Sequence, residues 1–136
     1  MILVDLNVVL DVIQAREPHY RASAEVLDRV VGKRVKGLVA AHAVTTIHYL
    51  VERFRGVGEA NEAVDWLIRH FDVATIGRDQ LLRARSLGWP DFEDAVVAAA
   101  AESAGCSFIV SRNVKDFAGS LVPASTPEEY LATADL

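Results

Sequence analysis

Residues 1–10 read Met-Ile-Leu-Val-Asp-Leu-Asn-Val-Val-Leu, and this stretch gives the clearest indication of the fold. Residues 1–4 are a continuous apolar run, which is typical of a parallel strand that is buried on both faces. The run ends at Asp5, and the sequence predicts a turn at Asn7. Open α/β sheets build their sites at the carboxyl ends of the strands, so Asp5 is a candidate functional residue.

Strand and helix patterns alternate along the rest of the chain. Further strands are predicted at residues 37–41, 71–76 and 107–110, with a short fifth strand at 121–122. The spacing of the apolar residues predicts helices at 18–30, 44–56, 58–71, 79–87 and 91–103, and a last helix from 126 onwards. This alternation predicts an α/β fold, a parallel sheet of four to five strands flanked by helices on both faces.

The composition indicates a globular protein. A length of 136 residues predicts one domain over residues 1–136. Apolar residues make up 51% of the chain and charged residues 24%, which excludes a disordered protein. No apolar run approaches the ~20 residues that span a bilayer, and residues 1–5 lack the basic segment of a signal peptide. Cys106 is the only cysteine, which agrees with a reducing compartment, so we expect a cytoplasmic protein without a membrane partner.

The net charge of −5 limits the kinds of nucleic-acid binding that the chain can support. It argues against a protein that coats nucleic acid without sequence preference, because such binding depends on Lys and Arg neutralising phosphates. A nuclease is still compatible with this charge. A pocket of carboxylates is acidic until a cation fills it, and the bound cation then attracts the phosphate.

Acidic residues occur in three separate segments that the predicted topology can bring together. The first is Asp5, and the others are Pro90-Asp91-Phe92-Glu93-Asp94-Ala95 and Ser111-Arg112-Asn113-Val114-Lys115-Asp116-Phe117. Asp91 and Asp94 are three residues apart and share a helix face, whereas Glu93 points away from them. If the fold brings the three segments together, their oxygen atoms form the ligand set that Mg²⁺ prefers.

The same residues also have purely structural interpretations. Asp5 can bind turn amides or cap the following helix, and Asp91 with Asp94 approximates a capping box at a helix start. The segment 111–117 can be a polar turn that caps a short helix. Three acidic segments at three strand or helix ends nevertheless favour a shared function. Phosphodiester cleavage needs an activated water and charge stabilisation, and carboxylate-held Mg²⁺ supplies both.

The order and spacing of these motifs resemble the PIN domain. The resemblance is carried by the Asp-x-Asn start, an Asp heading an Ala-rich helix that ends in Gly, an apolar strand into Ser-Arg-Asn-x-x-Asp-Phe, and the closing residues 123–131. The most similar group is the VapC-type toxins of toxin–antitoxin pairs. The resemblance implies an endoribonuclease that depends on Mg²⁺ or Mn²⁺, is commonly a homodimer and is inhibited by a cognate antitoxin.

The resemblance also implies a role for each site residue. Asp5 and Asp94 match the principal metal ligands of the family, and Asn7 matches the polar residue that supports the first of them. Two family acids are replaced here, one by Thr46 and one by Asn113. Asp91 and Asp116 can compensate for the two lost acids. We predict that the catalytic residues are Asp5, Asp91, Asp94 and Asp116, and that the supporting residues are Asn7, Thr46, Ser111 and Asn113.

The predicted function is hydrolysis of RNA by metal-activated water, in the toxin of a toxin–antitoxin pair. The alternative is a degenerate PIN-like domain that binds RNA or a protein partner without cleaving. A response-regulator receiver also has an acidic pocket, but it needs an acid pair after its first strand and a Lys after its last, and both are missing. His48, with His42 on the same predicted helix, has no Cys or His partner at metal-binding spacing.

Overall fold

A five-stranded parallel sheet with helices on both faces forms the core of the computed structural model, which describes residues 1–134. The strands are β1 Ile2–Val4, β2 Gly37–Ala40, β3 Asp72–Ala74, β4 Phe108–Val110 and β5 Ala124–Ser125. The helices are α1 Leu6–Ile13, α2 Tyr20–Val31, α3 Ala41–Arg55, α4 Val57–His70, α5 Arg78–Leu87, α6 Phe92–Ala104 and α7 Pro127–Ala134, with a 3₁₀ helix at Val114–Phe117. The strand order is β3-β2-β1-β4-β5, so the predicted fold class is confirmed.

Strand β1 lies at the centre of the sheet and is buried on both faces, as its continuous apolar sequence predicts. Ile2 and Val4 pack into one hydrophobic cluster with α1 and α2, and Leu3 packs into a second cluster with α6. This division follows from the two-residue period of a strand, which directs successive side chains to opposite faces. The helices therefore cover both faces of the sheet on either side of β1.

The first helix differs from the sequence prediction. Helix α1 begins at Leu6, directly after β1, where the sequence predicts only a turn at Asn7. Asp5 caps this helix, because its side chain accepts a hydrogen bond from the amide of Leu6. The residues after Asp5 are almost all apolar, so their pattern does not separate a buried helix from an extended segment.

The fifth strand also lies elsewhere than predicted. Strand β5 is Ala124–Ser125, paired with β4, and the predicted strand at 121–122 is wrong. Leu121 is 72% exposed, so its apolar side chain contributes little to the core. The carbonyl of Pro123 accepts a hydrogen bond from the amide of Ile109, which begins the ladder immediately before β5.

The carboxyl ends of β1 and β4 lie side by side. Val4 pairs with Val110, and the amide of Asp5 donates to the carbonyl of Val110 at 2.9 Å. Asp5 and Ser111 therefore leave the sheet at the same edge, although they are 106 positions apart in the chain. In residues 1–134 no helix is both long enough and apolar enough to cross a membrane.

Candidate metal centre

Asp5 is held in one position by hydrogen bonds to both of its carboxylate oxygens. Its side chain is 9% exposed. Oδ1 accepts from the amide of Leu6 at 2.9 Å, and Oδ2 accepts from the hydroxyl of Ser111 at 2.8 Å and from Asn7 Nδ2 at 3.5 Å. Asp5 therefore caps α1 and at the same time contacts the segment that follows β4.

Asn7 and Ser111 connect the start of α1 to that segment. Asn7 Nδ2 donates to the Ser111 hydroxyl at 3.2 Å, and the Asn7 carbonyl oxygen accepts from the amide of Arg112 at 3.3 Å. The Ser111 hydroxyl also accepts from the amide of Asn113 at 3.1 Å. Ser111 is fully buried, so these bonds fix the segment beneath Asp5 while the serine itself has no contact with solvent.

The hydrogen bonds in the first turn of α6 show which of its acids caps the helix and which does not. Asp91 is the N-cap, and its side chain accepts from the amide of Asp94 at 3.2 Å. Within residues 1–134 the Asp94 carboxylate itself accepts no hydrogen bond, so Asp94 is not a capping residue. The small apolar residues 95–101 that follow are all buried, which brings the acidic start of α6 close to the strand ends.

These elements enclose an open cavity of about 230 Å³ at the carboxyl edge of the sheet. It is lined by Asp5, Leu6, Asn7, Asp91, Glu93, Asp94, Asn113 and Asp116. Five of these eight residues carry carboxylates, and Asn113 adds an amide. The three acidic segments that the sequence singled out thus meet in one place.

The carboxylates in the cavity repel one another when they are ionised. Loss of water around Asp94, together with the negative charges of Asp91, Asp5, Asp116 and Glu93, raises its pKa from 3.8 to about 7. Burial also raises the pKa of Asp5, while the hydrogen bonds from Ser111 and Leu6 oppose the shift. Without a cation, the site therefore favours one or more protonated acids near neutral pH.

This donor set fits a hard divalent cation. Carboxylate and amide oxygens are the ligands of Mg²⁺ and Mn²⁺, and a bound cation would relieve the repulsion that raises the pKa of Asp94. The carboxylates are not already gathered into a coordination group. Across residues 1–134 no cluster of three or more His, Cys, Asp or Glu side chains has metal-holding geometry. Mg²⁺ commonly binds through one or two carboxylates and retains several waters, so this spacing is compatible with it.

The structure brings together most, but not all, of the predicted site residues. Ser111 lies beneath Asp5 and contacts the cavity only through its neighbours. Thr46 is not among the lining residues, and its hydroxyl donates to the carbonyl of His42 within α3. The residue of α3 that reaches the site is His42, whose Nε2 lies 3.8 Å from Glu93 Oε1.

Glu93 also lines the cavity, although the sequence indicates only that its side chain points away from Asp91 and Asp94. Helical spacing correctly separates its direction from that of Asp91 and Asp94. It does not show that α3 lies close enough for the long Glu93 side chain to reach both His42 and the cavity edge. Only the packing of α3 beside the start of α6 could have revealed that role.

Cavity size alone does not identify the site. Cavities of about 490 and 440 Å³ occur elsewhere in the described chain. The larger one is lined by residues such as Met1, Arg29 and Tyr130, and it has no group of converging carboxylates. The carboxylate cavity is distinguished by its chemistry and by its place at the strand ends.

Comparison with known proteins links this geometry to one family. The family model described as PIN domain matches residues 1–115. No curated protein matches the chain in sequence.

Several solved structures share the fold. A toxin–antitoxin complex from Klebsiella pneumoniae has a TM-score of 0.72 at 20% identity, covering 93% of this chain and 98% of the other. VapBC2 from Rickettsia felis, bound to a promoter DNA fragment, has a TM-score of 0.69 at 14% identity, with 93% and 98% covered. VapC20 from Mycobacterium tuberculosis, described as a sarcin-ricin loop cleaving toxin, has 0.69 at 17% identity, with 89% and 97% covered.

Proposed function

The chain belongs to the PIN domain family, and we propose that it is a metal-dependent endoribonuclease built from a single nuclease domain. One observation carries the proposal. Asp5 and Asp94, from elements far apart in the sequence, meet three further carboxylates in one cavity, and their repulsion helps to raise the pKa of Asp94 to about 7. Desolvation and like charges disfavour the ionised form of an acid, and acids perturbed in this way cluster at functional sites.

In this proposal each acidic residue has a distinct role. Asp5 and Asp94 would hold Mg²⁺ or Mn²⁺, and Asp91 and Asp116 would add negative charge at the cavity edge. Such a cation supplies a water of lowered pKa and stabilises charge on the phosphate oxygens. Asn113 offers an amide for a water or a phosphate contact.

The hydrogen bonds around Asp5 explain why one ligand can be rigid. The Ser111 hydroxyl and the Asn7 amide orient Oδ2, and the amide of Leu6 orients Oδ1. Because each carboxylate oxygen has two lone pairs, further acceptor capacity is left for a cation. Residues that orient a ligand in this way commonly change metal affinity as much as a weak ligand does.

The proposed substrate is single-stranded or loop RNA. The similarity in fold to VapC20, which is described as cleaving the sarcin-ricin loop, supports RNA as the substrate class. RNA loops expose their backbone and bases, which suits an open cavity better than a buried one.

We further propose that the protein is the toxin of a toxin–antitoxin pair and acts in the cytoplasm as a homodimer. The toxin–antitoxin complexes that share the fold support an antitoxin partner. An antitoxin that inserts Arg or Lys into the carboxylate cavity would neutralise it. Exposed apolar side chains on α3 and α4, such as Tyr49, Phe54 and Ile68, support burial of a helix face in a dimer. A monomer in light scattering at micromolar concentration would contradict the dimer, and expression without growth arrest would contradict the toxin role.

The test of the enzyme is cleavage of a mixed RNA pool with Mg²⁺ or Mn²⁺. Asp5→Asn is the informative variant, because the Asn oxygen can still accept the hydrogen bond of Leu6 while the negative charge is lost. Asp79→Asn, on the exposed first turn of α5, is the matched control. We expect cleavage by wild type and by the control, and its loss in Asp5→Asn and in EDTA. Unchanged cleavage in Asp5→Asn would refute the proposal.

A second function is favoured by one observation. Asn113 stands at the cavity where the resembled family has an acid, and Thr46 lies outside the cavity. This loss of charge is compatible with a domain that binds RNA or a protein without cutting. Titration with Mn²⁺ distinguishes the two functions, because only the nuclease requires measurable metal affinity.

A further inference from the structure

A buried ion pair lies next to the carboxylate cavity but outside it. Asp11 is fully buried, and its Oδ2 lies 2.8 Å from Nε of Arg112, whose side chain is 27% exposed. The Nε–H bond is not aligned with the carboxylate, so the contact joins two charges without a hydrogen bond. The hydroxyl of Ser23 donates to the same oxygen at 3.3 Å, and within residues 1–134 Oδ1 has no donor.

Stability does not explain this pair. Removing two charges from water costs several kcal/mol per ion, and the mutual attraction repays it only with good geometry and satisfied oxygens. Here the Nε–H bond is misaligned and one carboxylate oxygen has no donor. Buried ion pairs of this kind can often be replaced by apolar pairs of similar volume without loss of stability. A role in positioning a segment of the chain therefore explains the pair better than a contribution to stability does.

The position of the pair supplies that role. Asn7 and Asp11 are one turn apart on the same face of α1, and both contact residue 112. The Asn7 side chain accepts from the backbone amide of Arg112, and Asp11 binds its side chain. Residue 112 is thus held at two points by one helix. Its neighbours are Ser111, which binds Asp5, and Asn113, which lines the cavity.

We propose that Asp11 and Arg112 are positioning residues for the metal centre. Their ion pair holds residues 111–113 against α1, one turn beyond the contact that Asn7 makes with the same segment. It thereby sets where the Ser111 hydroxyl meets Asp5 and where Asn113 faces the cavity. This inference rests on the proposed function, since it assigns the pair to the same site.

The test uses three variants and a matched control in the full chain. Arg112→Met leaves the buried charge of Asp11 without its partner, Asp11→Asn leaves the partly exposed charge of Arg112 without its partner, and the double variant Asp11→Asn/Arg112→Met removes both charges. Arg83→Met is the control, because Arg83 forms an exposed ion pair with Glu102 on the side of α6 away from its acidic start. The measurements are thermal unfolding, Mn²⁺ affinity by titration with the metal alone, and amide hydrogen exchange at residues 112 and 113.

A positioning role and a structural role give different results. We expect both single variants to have a lower Tm and about tenfold weaker Mn²⁺ binding. The double variant should recover most of the Tm but keep the weak Mn²⁺ binding, and its amides at residues 112 and 113 should exchange several-fold faster. The control should match wild type in metal affinity and in exchange. A double variant with wild-type Mn²⁺ affinity would overturn the inference.

The hydrogen-exchange measurement separates failure of this inference from failure of the proposed function. A wild-type protein that does not bind Mn²⁺ refutes the metal site, and exchange measured without metal then decides the positioning of residues 111–113. Wild-type exchange at residues 112 and 113 in the double variant would overturn the positioning role on its own. If only one single variant fails to fold, the other and the double variant still give both readouts.

Discussion

Replacing Asp94 by Asn should stabilise the protein in the absence of a divalent cation. The pKa of Asp94 is raised from 3.8 in an ordinary environment to about 7 in the folded protein. The folded state therefore binds more protons than the unfolded state between these values, and stability falls as the pH rises through them. Asn carries no charge at any pH, so Asp94→Asn removes this penalty.

The size of the gain follows from the shift. A change of about three pKa units corresponds to about 4 kcal/mol if the group is fully buried. Asp94 is partly exposed, so solvent screening reduces the figure to about 1–2 kcal/mol. The helix dipole favours a negative charge in the first turn by about 0.3–1 kcal/mol, which opposes the gain. The net expectation at pH 8 is about 1 kcal/mol, or a Tm about 3–4 °C higher for a chain of this length.

Thermal unfolding with and without Mg²⁺ tests both the destabilising effect of the Asp94 charge and the role of Asp94 as a metal ligand. Mg²⁺ at a hundred times its Kd should stabilise wild type by about 2.7 kcal/mol, and this shift should vanish in Asp94→Asn. Asp79→Asn is the matched control, because Asp79 also lies in a helical first turn but far from the cavity. It should gain no stability, lose at most about 1 kcal/mol and keep the full Mg²⁺ shift.

The pH dependence provides an internal check on the same variant. The gain from Asp94→Asn should be largest above pH 7, smaller at pH 5 and absent below about pH 4, where the folded and unfolded states are both protonated. A gain in stability that does not change with pH would mean that removal of the Asp94 charge is not its cause. If both variants keep the wild-type Mg²⁺ shift, Asp94 is only a first-turn acid and the assigned site is wrong.

Three further predictions follow from the same geometry. Mn²⁺ binding to wild type should weaken as the pH falls below about 7, because Asp94 must lose its proton before it can bind the cation. Calorimetry at pH 6 in buffers of different ionisation enthalpy should detect the released proton, and equal affinity at pH 6 and pH 8 would contradict the prediction. Ser111→Ala removes the 2.8 Å hydrogen bond to Asp5 and should cost about 1–3 kcal/mol in urea unfolding, whereas the exposed control Ser86→Ala should change little. Asn113→Asp adds a carboxylate at the cavity and should raise Mn²⁺ affinity severalfold without loss of folding; unchanged affinity would show that residue 113 does not face the cation.

The sheet could be predicted from the sequence because its signals are local. The apolar run at residues 1–4 and the alternation of strands with helices indicate a parallel sheet, and neither signal depends on contacts between distant side chains. Helix α1 and strand β5 could not be placed in the same way. A continuous apolar stretch after Asp5 lacks periodicity, and the position of β5 depends on its pairing with β4 after the exposed Leu121.

The sequence could indicate only those residues of the candidate site that stand out within short segments of the chain. Asp5, Asp91 and Asp94 are recognisable because they stand at strand and helix ends, where the topology collects them. Glu93 and Asp11 were not recognisable. The role of Glu93 depends on the packing of α3, and that of Asp11 on an ion pair with a residue 101 positions later in the chain.

Capping and metal binding are not competing explanations for the acids of this site. Asp5 and Asp91 both cap helices, and the hydrogen bonds that define these caps also hold their side chains at the cavity edge. The Asp94 carboxylate accepts no such bond in the described chain. In the proposed metal site, Asp5 would be a ligand fixed by hydrogen bonds and Asp94 a less constrained one. This arrangement is compatible with a Mg²⁺ ion that keeps several waters and with the absence, in residues 1–134, of a preassembled group of ligands. Asp5 depends on Ser111 for part of its orientation, so the metal affinity of the proposed site should respond to the Asp11–Arg112 pair even though neither residue lines the cavity.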